Sequence, residues 1–241
     1  MATKVLKTFW ALWLVLVFSP TAFAQRIERA SADAHAPPVE RASFHQLVFA
    51  NDDFAVLNNR YPPGGDSGFH THYRDLFYVV IQSAPSSSQR LGRPLTAAPS
   101  APIGAAGFSP VGGEPRVHRV VNGEEGPSQF IAIELLRPRP AGDAVSSREG
   151  APQYVQIVDN ERMRAWRLIL ERGQSAPAIS QGGDGLRVIV RGGLLTTTTP
   201  GSPDQTLLVQ AGEFALQSGG TTRALHNSGS DTIELVEIEL K

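Results

Sequence analysis

Residues 48–81 (VFANDDFAVLNNRYPPGGDSGFHTHYRDLFYVVI) lie on residues 157–190 (IVDNERMRAWRLILERGQSAPAISQGGDGLRVIV) at an offset of 109. Asn51 meets Asn160, Gly64 meets Gly173, Asp75 meets Asp184 and Val79 meets Val188. Further on the offset becomes 105. Ala106-Gly107 then meets Ala211-Gly212, Asn122 meets Asn227, and Ile133-Glu134-Leu135 meets Ile238-Glu239-Leu240. Similarity in constant order and spacing constrains the chain to one structural unit used twice. Each copy ends in a short, mostly apolar run, FIAIEL and LVEIEL, of the kind that forms a strand. Outside the N-terminus no long stretch carries apolar residues at helical spacing. With 23 Gly and 18 Pro, the chain is expected to be turn-rich and all-β.

The 241 residues suffice for one large or two small domains with buried cores. The N-terminus has the pattern of an export signal. Lys4 and Lys7 form a positive region, and Phe9–Phe18 (FWALWLVLVF) is an apolar core too short to span a bilayer comfortably. Ser19-Pro20 breaks the segment, and Ala22-Phe23-Ala24 offers small residues for cleavage. A signal peptide over 1–24 is therefore expected, with a periplasmic or secreted mature protein and no stable membrane anchor after cleavage. Cysteine is absent, so there is no disulfide framework and no lipid-attachment site. Residues 25–42 are polar, Ala/Pro-rich and aperiodic, and read as a disordered leader containing His35. The first barrel-like body is expected over 43–138, a linker over 139–152 and the second body over 153–241. Residues 84–106, rich in Pro, Ser and Ala, read as an irregular insertion of the lid or flap type. The formal net charge of −1 leaves no basic excess for neutralising phosphates, so nucleic acid is not an expected partner.

Two segments carry chemistry. In the first, Gly64 is followed after five residues by His70-Thr71-His72. In the second, Gly107 is followed by Gly113, Pro115, His118 and Asn122. Their spacing resembles the paired motifs of the cupin family, whose first motif is Gly, five residues, His-x-His, three or four residues, Glu, six residues, Gly. The family's second motif is Gly, five residues, Pro-x-Gly, two residues, His, three residues, Asn. The resemblance covers both halves and implies two tandem jelly-roll barrels of the double-stranded β-helix type. It departs from the family where Glu is due, since Leu76 and Phe77 stand there. Asp75, one residue early, is the nearest carboxylate.

On a strand, residues i and i+2 share a face, so His70 and His72 project inward together if either does. A strand from the second motif can bring His118 beside them. Three imidazoles on one side of a cavity suit one divalent transition metal, Fe, Mn, Zn, Ni or Cu. Asp75 is the candidate fourth ligand if Tyr73-Arg74 turn the chain, although strand parity points it away. Its alignment with Asp184 favours instead a turn role for both aspartates, accepting backbone N–H groups. In the second copy the ligand places read Ile179, Gln181 and Arg223, so that body is expected to hold no metal. His45 reads as an interior or edge polar residue and His226 as a surface or pocket histidine. Gly64, Gly107, Gly173 and Gly212 read as turn glycines with positive φ, and Asn122 and Asn227 as turn-closing residues.

The resemblance implies small-molecule work such as oxidative cleavage or isomerisation, with Tyr73 and Arg74 among the candidates for proton transfer. The alternative is a non-catalytic protein that binds a metal or small ligand. The expected association state is a monomer or homodimer.

Overall fold

The computed structural model describes residues 36–111, 113–137 and 145–241. The expected signal segment, residues 25–35 of the expected leader with His35, and residues 139–144 of the expected linker lie outside them.

Among the described residues the first half contains nine strands. They are β1 (His45–Ala50), β2 (Phe54–Tyr61), β3 (His70–His72), β4 (Leu76–Gln82), β5 (Ser86–Arg90), β6 (Thr96–Ala98), β7 (Ala106–Ser109), β8 (Arg116–Asn122) and β9 (Ser128–Leu135). They form a five-stranded sheet in the order β1-β2-β9-β4-β7 and a four-stranded sheet in the order β3-β8-β5-β6. The second half contains β10 (Tyr154–Asp159), β11 (Met163–Leu170), β12 (Ser175–Ser180), β13 (Gly185–Arg191), β14 (Gly193–Thr198), β15 (Gln205–Val209), β16 (Phe214–Gln217), β17 (Thr222–Asn227) and β18 (Ile233–Leu240). Its sheets run β10-β11-β18-β13-β16 and β12-β17-β14-β15, the same order strand for strand. Even the irregularities agree, with a bulge between Leu47 and Phe49 in one half and between Gln156 and Val158 in the other. Each half is a jelly roll of two facing antiparallel sheets.

Strand parity divides the apolar residues between two destinations. Phe54, Val56, Phe77, Val79, Ile131 and Ile133 turn outward from the first five-stranded sheet. They meet Met163, Ala165, Leu186, Val188, Val236 and Ile238 of the second in one shared apolar core. The intervening residues turn into each barrel. The second barrel fills its interior with Trp166, Leu168, Leu170, Leu195, Leu225 and Leu235. The first has only Val39, Leu57, Leu76 and Ala132 in its own apolar cluster. Much of the remaining buried interior is polar, including His45, Asn59, His70, His72 and Glu134.

Four expectations need correction. Residues 36–42 are ordered, not a loose leader. Pro37 carbonyl accepts the Thr71 N–H at 2.8 Å, Pro38 bridges Thr71, and Val39 is buried within a short 3₁₀ turn, Val39–Arg41. Residues 145–151, assigned to the linker, make the equivalent strap in the second half, where Ser146, Arg148 and Ala151 are buried. Both assignments failed because a polar, Pro-containing segment was read without the sheet edge and barrel mouth that satisfy it. Residues 84–106 are not a free flap, because β5 and β6 pair with each other and β5 pairs with β8. Gly107 is not a turn glycine either. It lies in β7 opposite Tyr78, and an added Cβ would stand 2.9 Å from the Tyr78 hydroxyl oxygen. The glycine equivalent to Gly212 is Gly104. Both have positive φ, 78° and 85°, and their N–H groups donate to Val80 and Ile189, which are themselves equivalent.

Candidate metal centre

His70, Thr71 and His72 make up β3, the edge strand of the four-stranded sheet, which pairs with β8 so that His70 faces His118 across the ladder. The turn that starts β3 is set by Gly64, whose φ is 69°, a conformation that disfavours any residue with a Cβ. Asn122 closes the far end of β8. Its side-chain amide donates to the Pro62 and Gly126 carbonyls at 2.9 and 2.8 Å, and its oxygen accepts the Ser128 hydroxyl at 2.7 Å. Asn227 does the same work in the second barrel, donating to the Leu170 and Asp231 carbonyls.

This scaffold brings three histidines together. One ligand nitrogen from each of His70, His72 and His118 lies within 4.8 Å of the others. His72 Nε2 and His118 Nε2 are 3.0 Å apart, and the ring centroids are separated by 4.6 to 5.1 Å. Four-coordinate geometry with bonds of about 2.0–2.1 Å needs ligand nitrogens roughly 3.3 Å apart, so small side-chain adjustments suffice. His70 Nδ1–H donates to the Gly68 carbonyl at 3.0 Å, which leaves Nε2 as the lone-pair nitrogen. That Nε2 is buried and has no hydrogen-bond partner among the described residues. A buried acceptor without a partner is costly, and a cation satisfies it. The donor set therefore fits a transition metal.

Burial, in each case the largest cause, lowers the pKa of all three imidazoles. His72 falls to about 3, helped by the neighbouring His70, and His118 to about 2, helped by His72 and His70. The rings are neutral at pH 7, the form that binds metals.

Asp75 does not join them. Its Oδ1 accepts the Val111 N–H at 2.9 Å, and its Oδ2 meets Arg162 of the second barrel at 2.6 Å. Strand parity turns it away from the interior, and a guanidinium takes up the charge that a metal would have used. Asp184 likewise accepts a backbone N–H, from Gly219 at 2.7 Å. The turn role suggested by the alignment of these two aspartates describes both.

Other residues around the cluster were not visible as a set in the sequence. His45 stacks 4.5 Å from His70, centroid to centroid. Its Nδ1–H donates to the Ser43 carbonyl at 2.9 Å and its Nε2 accepts the Tyr61 hydroxyl at 3.0 Å, so both nitrogens are engaged. Arg116 shares the inward face of β8 with His118 and bonds to the Ser109 hydroxyl. Its Nε is buried without a hydrogen-bond partner among the described residues. Glu134 on β9 is 1% exposed and stands 3.5 Å from His72 Nδ1. Glu40, from the strap, reaches the Glu134 carboxyl. Burial raises the pKa of both to about 7. The sequence carried no signal for Glu134, because alternation in FIAIEL sets it opposite Ile131, Ile133 and Leu135, on the face that pattern alone assigns to solvent.

The second barrel fills the corresponding places differently. Ile179, Gln181 and Arg223 occupy the histidine positions. Buried Arg148 and Arg187 bind Glu237 at 2.7 Å each, and Arg148 also lies 3.7 Å above the centroid of the Trp166 ring. His226 contacts the Ser175 hydroxyl at 2.9 Å and has no histidine companions among the described residues.

No protein-family model and no curated protein matches the sequence. Solved structures do. AerE from Microcystis aeruginosa is 14% identical with a TM-score of 0.62, over 86% of this chain and 97% of that one. A cupin 2 conserved barrel domain protein from Leptotrichia buccalis is 10% identical with a TM-score of 0.50, over 82% and 88%. Salicylate 1,2-dioxygenase from Pseudoaminobacter salicylatoxidans, in its adduct with gentisate, is 11% identical with a TM-score of 0.56, over 92% and 80%. At such identities the likeness is one of architecture: this chain has the cupin fold, as two jelly-roll barrels in one polypeptide.

Proposed function

We propose that the first barrel holds one divalent transition metal through His70, His72 and His118 and that the protein acts on a small oxygen-bearing molecule there. The observation that carries this reading is the convergence of three neutral imidazoles in a barrel interior, one of them with a buried, unpartnered Nε2. A bound metal with three protein ligands supplies Lewis acidity or dioxygen chemistry at its open positions. The chain's own residues support such a role. His118 is only half-buried, so the cluster is approachable from its side. Arg116, beside it on β8, offers a guanidinium to an incoming carboxylate or other anionic oxygen group. The solved dioxygenase with gentisate shows that this architecture accommodates a small aromatic acid, and that likeness is one of fold alone.

The export-like segment over 1–24 supports a periplasmic or secreted location as part of the same proposal.

One observation favours a second, non-catalytic reading, in which the protein carries a metal or small ligand without turning it over. The three rings are tightly packed, while a cleft of about 360 Å³ lies between the barrels, lined by Val48, Asn58, Ile131, Gly212, Glu213 and Phe214.

The test is elemental analysis of protein prepared without oxygen, beside the His70→Ala/His72→Ala variant. About one metal per chain is expected in the wild type, and little in the variant. Equal contents would refute the site. N-terminal sequencing of the same preparation is expected to begin near Gln25, and an intact Met1 in exported protein would refute cleavage. Oxygen uptake with phenolic and keto acids then separates the catalytic reading from the carrier reading.

A further inference from the structure

Glu134 and Glu239 occupy the same place at the end of the last strand of each barrel. The strap before each barrel reaches this place, and the two straps do opposite things. In the second barrel the strap neutralises Glu239. Ser146 N–H donates to it at 2.7 Å, the Ser146 hydroxyl binds it, and Arg148 Nη2 lies 3.3 Å away. In the first barrel the residue equivalent to Arg148 is Val39, and the group that the strap brings to Glu134 is another carboxyl, Glu40. Among the described residues Glu134 therefore has no cationic partner of the kind that Arg148 gives Glu239, and its carboxyl is left facing the histidine cluster. Glu134 Oε1 stands 3.5 Å from His72 Nδ1, on the side of the ring opposite the cluster, and each of these buried atoms lacks a hydrogen-bond partner among the described residues, so a small side-chain adjustment would pair them. Arg74 and Arg116 are the other charged groups that act on Glu134.

We infer that Glu134 and Glu40 are positioning residues for the histidine cluster: Glu134 holds the His72 Nδ1 proton so that Nε2 presents its lone pair, and Glu40 from the strap holds Glu134. Fixing the ring in this tautomer also pre-orients His72 as a ligand, which favours occupation by a dication. The affinity part of this inference rests on the metal reading of the site, and the tautomer part does not.

Two measurements test it on the full-length protein. The first is ¹⁵N NMR of the histidines in metal-free protein. His72 is expected to carry its proton on Nδ1 in the wild type and to shift toward Nε2–H in Glu134→Ala. The second is Zn²⁺ affinity by competition with a chromophoric chelator, expected to fall 10- to 100-fold in Glu134→Ala. Glu40→Gln, which still donates to Glu134, is expected to keep the wild-type tautomer, whereas Glu40→Ala is expected to lose part of it. An unchanged tautomer and an unchanged affinity in Glu134→Ala would overturn the inference. Should that variant not fold, Glu134→Leu keeps the bulk without an acceptor, and an unchanged His72 tautomer in it would overturn the inference equally. A wild type that binds no Zn²⁺ but shows the tautomer shift would sink the metal reading while leaving the support of His72 by Glu134 intact.

Discussion

At the scale of single residues, the cluster of the first barrel is a set of ionisable groups whose proton affinities burial has moved in opposite directions. His45 and His72 are lowered to about 3 and His118 to about 2, and His70 is lowered as well. The unfolded chain takes up protons on these rings near pH 6.5 that the folded protein does not bind. Their contribution to stability is therefore complete above pH 6.5 and is lost as pH falls below it. Glu40 and Glu134, raised to about 7, work the other way, with a contribution present below about pH 4.5 and lost as pH rises toward 7. Four rings outweigh two carboxyls between pH 4.5 and 6.5. The urea midpoint of metal-free protein is thus expected to drop as pH is lowered through that window, and a rise would contradict the assignment. His70, His72 and His118 were legible in the sequence because alternation and motif spacing are local properties. Asp75 was not, because its partner Arg162 belongs to the other barrel. Glu134 was not legible, because alternation sets it opposite Ile131, Ile133 and Leu135 and only the burial of both sheet faces turns it inward beside His72.

At the scale of elements, the strands come from local patterning and the turns from a few side chains that bind backbone. Asn122 ties the loop before β3 to the loop before β9, so its three hydrogen bonds hold both ends of the histidine hairpin. Asn122→Ala leaves two part-buried carbonyls without a donor and the buried Ser128 hydroxyl without its acceptor. It is expected to cost about 1–3 kcal/mol in urea unfolding. A change under about 0.5 kcal/mol would show that water replaces the amide. The offset between the halves illustrates a limit of sequence alignment. It is 109 for β1 to β6 and 105 for β8 and β9, but pairing with β4 and β13 puts Gly107 of β7 opposite Tyr78 and Ala215 opposite Arg187, which is an offset of 108. Glycines separated by three residues are interchangeable to a pattern search, and only cross-strand register tells Gly104 from Gly107. The straps over 36–42 and 145–151 were missed for a related reason. They have no periodicity of their own, and they are ordered by what they meet, the edge of β3 for residues 36–42 and the Glu237 and Glu239 carboxylates for residues 145–151.

At the scale of the molecule, the two barrels share the apolar core between their five-stranded sheets, with Phe49 and Phe214 packed across it at 6.3 Å. Phe77, fully buried there, is expected to cost about 3–5 kcal/mol when replaced by Ala. Because the core belongs to both barrels, that variant is expected to unfold in a single transition at a lower midpoint. A first barrel that melts while the second stays folded would show that the halves are energetically separate. The sequence by itself determined that this chain is all-β, that one unit is used twice, and that His70 and His72 share a face, because each follows from a period or a spacing along the chain. Tertiary structure alone decided that Asp75 serves the joint between barrels, that a strap closes each mouth, and that a carboxyl pair stands behind His72. Those outcomes depend on which side chains meet across sheets and between barrels, and no local period encodes such meetings.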